Sequence, residues 1–325
     1  MKYRILTAIT ILLIILFSGC TSTTPFPVGQ KLYCSVVGDC NVEEKSVEIP
    51  DIIVIKEVKV LPIVGNRVRP NSSVDILVTL ENKDSEKPIT INDIRINPGI
   101  FVCTCKGCSC EYTSQPKINP GQIKTFNFRV KAPDIEGTLA ISATLEVSVK
   151  YSYESVRKAS ITFISEEVFK QYVESGKKIP VSIINVPSDG PVELYLDISK
   201  IYQPVILDRE KSYQMYLEIR NKGSGEIEKI DKGKLTLEFE NLVLEDCSDE
   251  FGGEGCKDSD NTHNTEEIVI RGNIPKKYYF SFRPSNSLKI PSGQLTKTEI
   301  ITAKASYIYR ISKLIEIIIS PRAEI

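Results

Sequence analysis

From Ile52 onward, apolar and polar residues alternate at period two in short runs broken by Gly, Pro, Asn and Asp. Three of the clearest are Ser73-Val74-Asp75-Ile76-Leu77-Val78-Thr79-Leu80, Lys124-Thr125-Phe126-Asn127-Phe128-Arg129-Val130 and Ala143-Thr144-Leu145-Glu146-Val147-Ser148-Val149. Period two sends successive side chains to opposite faces of a strand. The β-branched and aromatic residues that fill these runs suit a pleated, half-buried surface. Many short strands at this spacing predict an all-β sandwich or barrel.

The pattern then repeats. VDILVTLENKDSE (74–86) matches YQMYLEIRNKGSG (213–225), Phe126-Asn127-Phe128-Arg129 matches Phe280-Ser281-Phe282-Arg283, and YSYESVRKASITFIS (151–165) matches YIYRISKLIEIIIS (307–320). Three matches in one order at a similar offset predict two copies of one sandwich. A cysteine-bearing insertion falls between the first and second match in each copy. Between the copies, Ser165 followed by Glu166 and Glu167 reads as a helix start, because acids complement the exposed N–H groups there. Gly176 suits its end. Val168, Phe169, Tyr172 and Val173 form one apolar stripe, expected to face a domain. The organisation expected is a signal peptide over 1–19, a tether over 20–50 rich in Thr, Ser, Pro and Gly, a first sandwich over 51–165, a connecting helix over 166–178 and a second sandwich over 179–325.

Both Leu80-Glu81-Asn82-Lys83-Asp84-Ser85 and Ile219-Arg220-Asn221-Lys222-Gly223-Ser224 place an Asn-Lys-x-Ser turn after an alternating strand. With the order of the runs, this resembles the adhesion-type, CARDB-like immunoglobulin modules of exported archaeal and bacterial proteins. The resemblance implies two tandem immunoglobulin-like β-sandwiches serving as scaffolds or in adhesion. It supplies no catalytic residues.

The first twenty residues, MKYRILTAITILLIILFSGC, set basic Lys2 and Arg4 before an apolar run from Ile5 to Phe17, then Ser18, Gly19 and Cys20. That order is a secretory signal. The run is shorter than the roughly 20 residues a spanning helix needs. Phe17-Ser18-Gly19-Cys20 resembles the lipobox of prokaryotic lipoproteins, with Phe where the family usually carries Leu. The resemblance implies a lipid on Cys20 as the first residue of the mature chain; the alternative is an uncleaved anchor with Cys20 unmodified. Either way the membrane is one expected partner and the location is extracytoplasmic.

Composition narrows the picture further. Over 325 residues, the 41% apolar content supports real cores and the net charge of −1 is spread without a cationic face, so no nucleic-acid partner is expected. No tryptophan, two methionines and abundant Ile, Lys and Glu fit a heat-adapted or AT-rich prokaryote such as an archaeon. Of nine cysteines, lipidation of Cys20 leaves an even set in local groups: Cys34 and Cys40; Cys103, Cys105, Cys108 and Cys110; Cys247 and Cys256. In an exported chain these read as disulfides. If Lys106-Gly107 is a hairpin turn, Cys105 faces Cys108 and Cys103 faces Cys110, all on one face. That arrangement permits cross-strand disulfides, a redox-active dithiol, or four thiolates on Zn²⁺ or Cu⁺.

Other candidates are thinner. The acidic, glycine-rich insertion 245–261 lacks EF-hand spacing and reads as a solvated loop, with Ca²⁺ binding as its alternative. His263, the sole histidine, lies in a polar run, and no nucleophile elbow or metalloprotease helix occurs. Asn71-Ser72-Ser73 is a glycosylation sequon in a host that glycosylates. Tyr151-x-Tyr153 and Tyr307-x-Tyr309 recur in both copies and are read as sheet packing, with a recognition surface as the alternative. The expectation is a non-enzymatic, membrane-anchored binding, adhesion or envelope-scaffold module without a cofactor, whose further partner is a surface protein or glycan. Its alternative is a metal-binding lipoprotein using Cys103 to Cys110.

Overall fold

The computed structural model describes residues 51–61, 67–104, 110–135, 139–181 and 184–320. The first copy contributes β1 (Ile53–Leu61), β2 (Arg67–Val68), β3 (Ser73–Asn82), β4 (Ile89–Asn97), β5 (Val102–Cys103), β6 (Glu111–Tyr112), β7 (Lys117–Ile118), β8 (Ile123–Lys131) and β9 (Ile141–Ile164). After α1 (Glu166–Ser175), the second copy contributes β10 (Asn185–Val186), β11 (Val192–Asp197), β12 (Val205–Ile206), β13 (Tyr213–Asn221), β14 (Glu226–Lys229), β15 (Leu235–Phe239), β16 (Leu242–Cys247), β17 (Asn261–His263), β18 (Lys276–Pro284) and β19 (Thr296–Ile319).

Two four-stranded sheets, β1-β3-β8-β5 and β11-β13-β18-β16, are related by the repeat. Lettered by chain order, each has the spatial order A-B-E-D of a constant-type immunoglobulin sandwich. Alternation puts Val74, Ile76, Val78 and Leu80 of β3 and Phe126, Phe128 and Val130 of β8 inside. Full burial of such a side chain contributes roughly 1.5–3 kcal/mol before the entropy of ordering the chain is set against it.

The opposing C-F-G sheets are not separate. β9 and β19 are 24 residues each and pair antiparallel over their whole length, from Ile141↔Ile319 to Ile164↔Thr296. Fully extended, such a strand spans about 75 Å. The first half of β9 pairs on its other side with β4, and the first half of β19 pairs with β15. Each long strand is therefore F of its own sandwich and then continues as G of the other. The repeat equates Ser152 with Ile308, and these two pair with each other, so a pseudo-two-fold axis crosses the sheet there. The short parallel pairings of β2 on β19 and β12 on β9 obey the same symmetry. A single apolar cluster runs through both sandwiches.

The connecting helix forms where its caps predict. Ser165 Oγ accepts from Val168 N at 3.3 Å, and Gly176 closes the helix at φ 63°. Its apolar stripe seats only shallowly: Val168, Phe169 and Tyr172 are half-buried and Val173 is exposed.

Candidate functional site

At the waist, the pseudo-axis gathers Tyr151, Tyr153, Tyr307 and Tyr309, with ring centroids 5.7 Å apart for Tyr151–Tyr309 and 6.3 Å for Tyr153–Tyr307. All four are buried, which makes them packing residues and leaves no recognition surface. Burial first, then neighbouring acids, holds the Tyr153 phenol far above its ordinary pKa, so it stays a neutral donor. It donates to Asp84 Oδ2 at 3.0 Å, within the first Asn-Lys turn. Its equivalent, Tyr309, donates to Asn221 Oδ1 at 2.9 Å, within the second. Each turn also meets an acid from the other copy. Asp189 Oδ2 accepts from Lys87 Nζ at 2.6 Å, and Asp51 Oδ1 accepts from Ser224 N at 3.0 Å. Asp51, the first described residue, lies two positions before β1, so the described chain begins at the waist.

The two cysteine insertions occupy equivalent crossovers. Cys103 and Cys110 form a disulfide with Cα atoms 5.9 Å apart, and Cys247 and Cys256 form another at 6.4 Å. The Lys106-Gly107 turn lies outside the described residues, but the strands on either side of it do not. Cys103 lies on β5, paired with β8 in the outer sheet, whereas the Cys110 carbonyl accepts from Ile96 N of β4 in the central sheet. The bridge therefore joins the outer sheet to the central one. Cys247 ends β16 in the outer sheet, and the segment after Cys256 leads to β17 in the central one. Cys20, Cys34, Cys40, Cys105 and Cys108 lie outside the described residues, as do the signal and tether over 1–50.

The acidic insertion is corrected. Asp246, Asp249, Glu250, Asp258 and Asp260 face solvent, but Phe251, Cys247 and Cys256 are buried, with the Phe251 ring 5.2 Å from Tyr278 and 4.9 Å from Phe280. It is a plug on the flank of the second sandwich, not a solvated loop. Among the described residues, no group of three or more His, Cys, Asp or Glu side chains is placed to hold a metal ion. His263 and Asn71 are exposed. Burial, then Glu111, raises the Asp93 carboxyl above its ordinary value; burial does the same to Glu299, whose Oε2 accepts from Asn241 Nδ2 at 3.0 Å.

A cleft at the far pole of the second sandwich was not foreseen, and no motif marks it. β12 pairs with Phe163 and Ile164 at the end of β9, and α1 departs from that same end. Between β10 and β12, the Gln203 amide completes the strand edge: its Oε1 accepts from Thr162 N and its Nε2 donates to Ser160 O, both at 3.0 Å. This holds 200–206 beneath α1 and beside the start of β13. The cleft so enclosed measures about 420 Å³. On its floor, burial and then Asp208 push the Tyr213 phenol up to about 12.

No family model matches this chain, and no curated protein does. Among solved structures it is similar to a mutant alpha-2-macroglobulin of Salmonella, at 10% identity over 81% of this chain and 16% of that one, with a TM-score of 0.19. At that score the likeness carries no argument. The immunoglobulin-like assignment rests on strand order and pairing. Among the described residues, no helix is long and apolar enough to cross a membrane.

Proposed function

We propose that this chain is a membrane-anchored, extracytoplasmic, non-catalytic module acting in binding, adhesion or envelope scaffolding. The observation that carries the reading is the reciprocal exchange of G strands. It joins two sandwiches into one body with a loop-built pole at each end and the first described residue, Asp51, at the waist. Such a body suits presentation of its poles from a tether. The charged, apolar and small-residue order ending at Cys20 supports the anchor. Two cysteine pairs at disulfide distance fit an oxidising compartment. No observation favours the metal-binding alternative.

Detergent phase partitioning of the expressed chain tests the anchor. The wild type is expected in the detergent phase with an N-terminal mass carrying lipid on Cys20, and Cys20→Ala in the membrane only as uncleaved precursor. Equal partitioning with an unmodified Cys20 would overturn lipidation. Crosslinking on intact membranes should recover a specific partner; its repeated absence, alongside a measured turnover, would overturn the binding role.

A further inference from the structure

The cleft, walled mostly by apolar and aromatic side chains with two lysines among them, carries a more specific reading, which rests on the binding role just proposed and names the class of its partner. Three segments meet there: α1 through Phe169, the strap through Lys200 and Tyr202, and the approach to β13 through Lys211, Ser212 and Gln214. Its volume falls in the range of small-ligand sites.

Its charge is one-sided. The lining includes two lysines and no carboxylate. Neither Lys200 nor Lys211 forms an ion pair among the described residues. Each ammonium is instead held over an aromatic face, Lys200 Nζ 5.6 Å from the Tyr216 ring and Lys211 Nζ 5.6 Å from the Tyr213 ring. Cation–π contacts restrain a lysine head without neutralising it. The lining thus holds two restrained positive charges, with Asp208 acting on the Tyr213 phenol from outside it.

The second feature is aromatic. Tyr202 is 44% exposed beside these cations, although large aromatic side chains are usually covered. Ser212 and Gln214 add a hydroxyl and an amide at the same wall. A matching ligand needs a flat apolar face, hydroxyl groups and negative charge. A neutral sugar leaves the lysines uncompensated, and a bare inorganic anion leaves the aromatic wall unused. A uronate ring meets all three demands: its C–H face stacks on Tyr202, its hydroxyls reach Ser212 and Gln214, and its carboxylate meets the ammonium groups.

We infer that the cleft lined by Phe169, Lys200, Tyr202, Lys211, Ser212 and Gln214 binds an acidic glycan through its uronate residues.

Calorimetric titration of the full chain in detergent micelles tests this, with tri-galacturonate, maltotriose and inorganic phosphate as probes. Tri-galacturonate is expected to bind saturably and at least about tenfold more tightly than either other probe, and to weaken as sodium chloride is raised. The Lys200→Ala/Lys211→Ala double variant should lose about tenfold in affinity, the scale of one lost charge-assisted hydrogen bond. Tyr202→Ala should lose affinity for the same probe, and an unchanged Tm for both variants would show the fold intact. Absence of saturable heat overturns the inference, as do equal binding of maltotriose or phosphate and undiminished binding by a folded lysine variant. If crosslinking still recovers a partner while tri-galacturonate does not bind, the glycan inference fails and the binding role stands. If both fail, both are overturned.

Discussion

Asn82 and Asn221 show how much one polar side chain organises at the waist. Asn82 Nδ2 donates to the carbonyls of Lys87 and Ile118 at 3.0 and 2.9 Å, and its Oδ1 accepts from Asp84 N at 2.9 Å. Asn221 does the same work with different partners: its Nδ2 donates to Gly225 O at 2.8 Å and its Oδ1 accepts the Tyr309 hydroxyl. The difference follows from position 223. A Cβ there would lie 2.3 Å from Asp51 Oδ1 and 2.4 Å from Tyr309 Oη, so glycine admits both groups where the first copy carries Asp84. Asn221→Ala should cost about 1–3 kcal/mol in denaturant unfolding, because it strands buried partners. A double-mutant cycle with Tyr309→Phe should show coupling, and strict additivity would argue against the bond. Asp84 adds a pH dependence. Burial alone would raise its pKa, but the N–H groups of Glu86 and Lys87 and the Tyr153 hydroxyl outweigh burial and hold it below the ordinary value. A depressed folded pKa means the contribution is present above the unfolded value and lost as pH falls through the folded one. Wild-type stability should therefore decline below about pH 4, and Asp84→Asn should flatten that decline. An equally steep profile in the variant would remove Asp84 from the account.

Among the elements, those governed by local chemistry were legible in advance. Ser165, the two glutamates and Gly176 bound the helix, and alternation located β3, β8 and the start of β9. Alternation fails at the end of β9, where Ala159 through Ile164 are all buried, because the sheet core covers one face and the returning chain the other. The exchange of G strands was not legible at all. Period two tells which side chains share a face, not which strand lies alongside, so 151–165 and 307–320 read as matching ends of two modules. The plug was missed for a related reason: one apolar residue, Phe251, in an acidic stretch gives no periodic signal. Its worth is measurable. Phe251→Ala should cost about 3–5 kcal/mol by leaving a cavity against Tyr278 and Phe280. The Cys247→Ala/Cys256→Ala pair should cost about 2.5 kcal/mol from the short loop released. Urea midpoints unmoved by either change would return the insertion to the solvated loop first expected.

At the scale of the whole molecule, two copies of a sandwich exchange one strand each, and that sets how the chain must unfold. Separated from the other copy, each sandwich lacks its G strand, and half of its long strand projects with unpaired N–H and C=O groups on both edges. Neither half buries its share of the common cluster alone, so the copies should behave as one cooperative unit although the sequence reads as two modules. Calorimetry of residues 51–320 should show a single transition whose van't Hoff and calorimetric enthalpies agree. Ile308→Pro gives a sharper test. It removes a backbone donor at the pseudo-axis, where β19 is flanked by Ser152 of β9 and Lys229 of β14. A proline in a central strand is poorly tolerated, so probes in both sandwiches should lose stability together. The fragments 51–178 and 179–320 should aggregate when expressed singly and recover soluble structure when co-expressed, each supplying the other's missing strand. Two resolved transitions, or a soluble folded fragment on its own, would show that the shared sheet joins modules already complete without it.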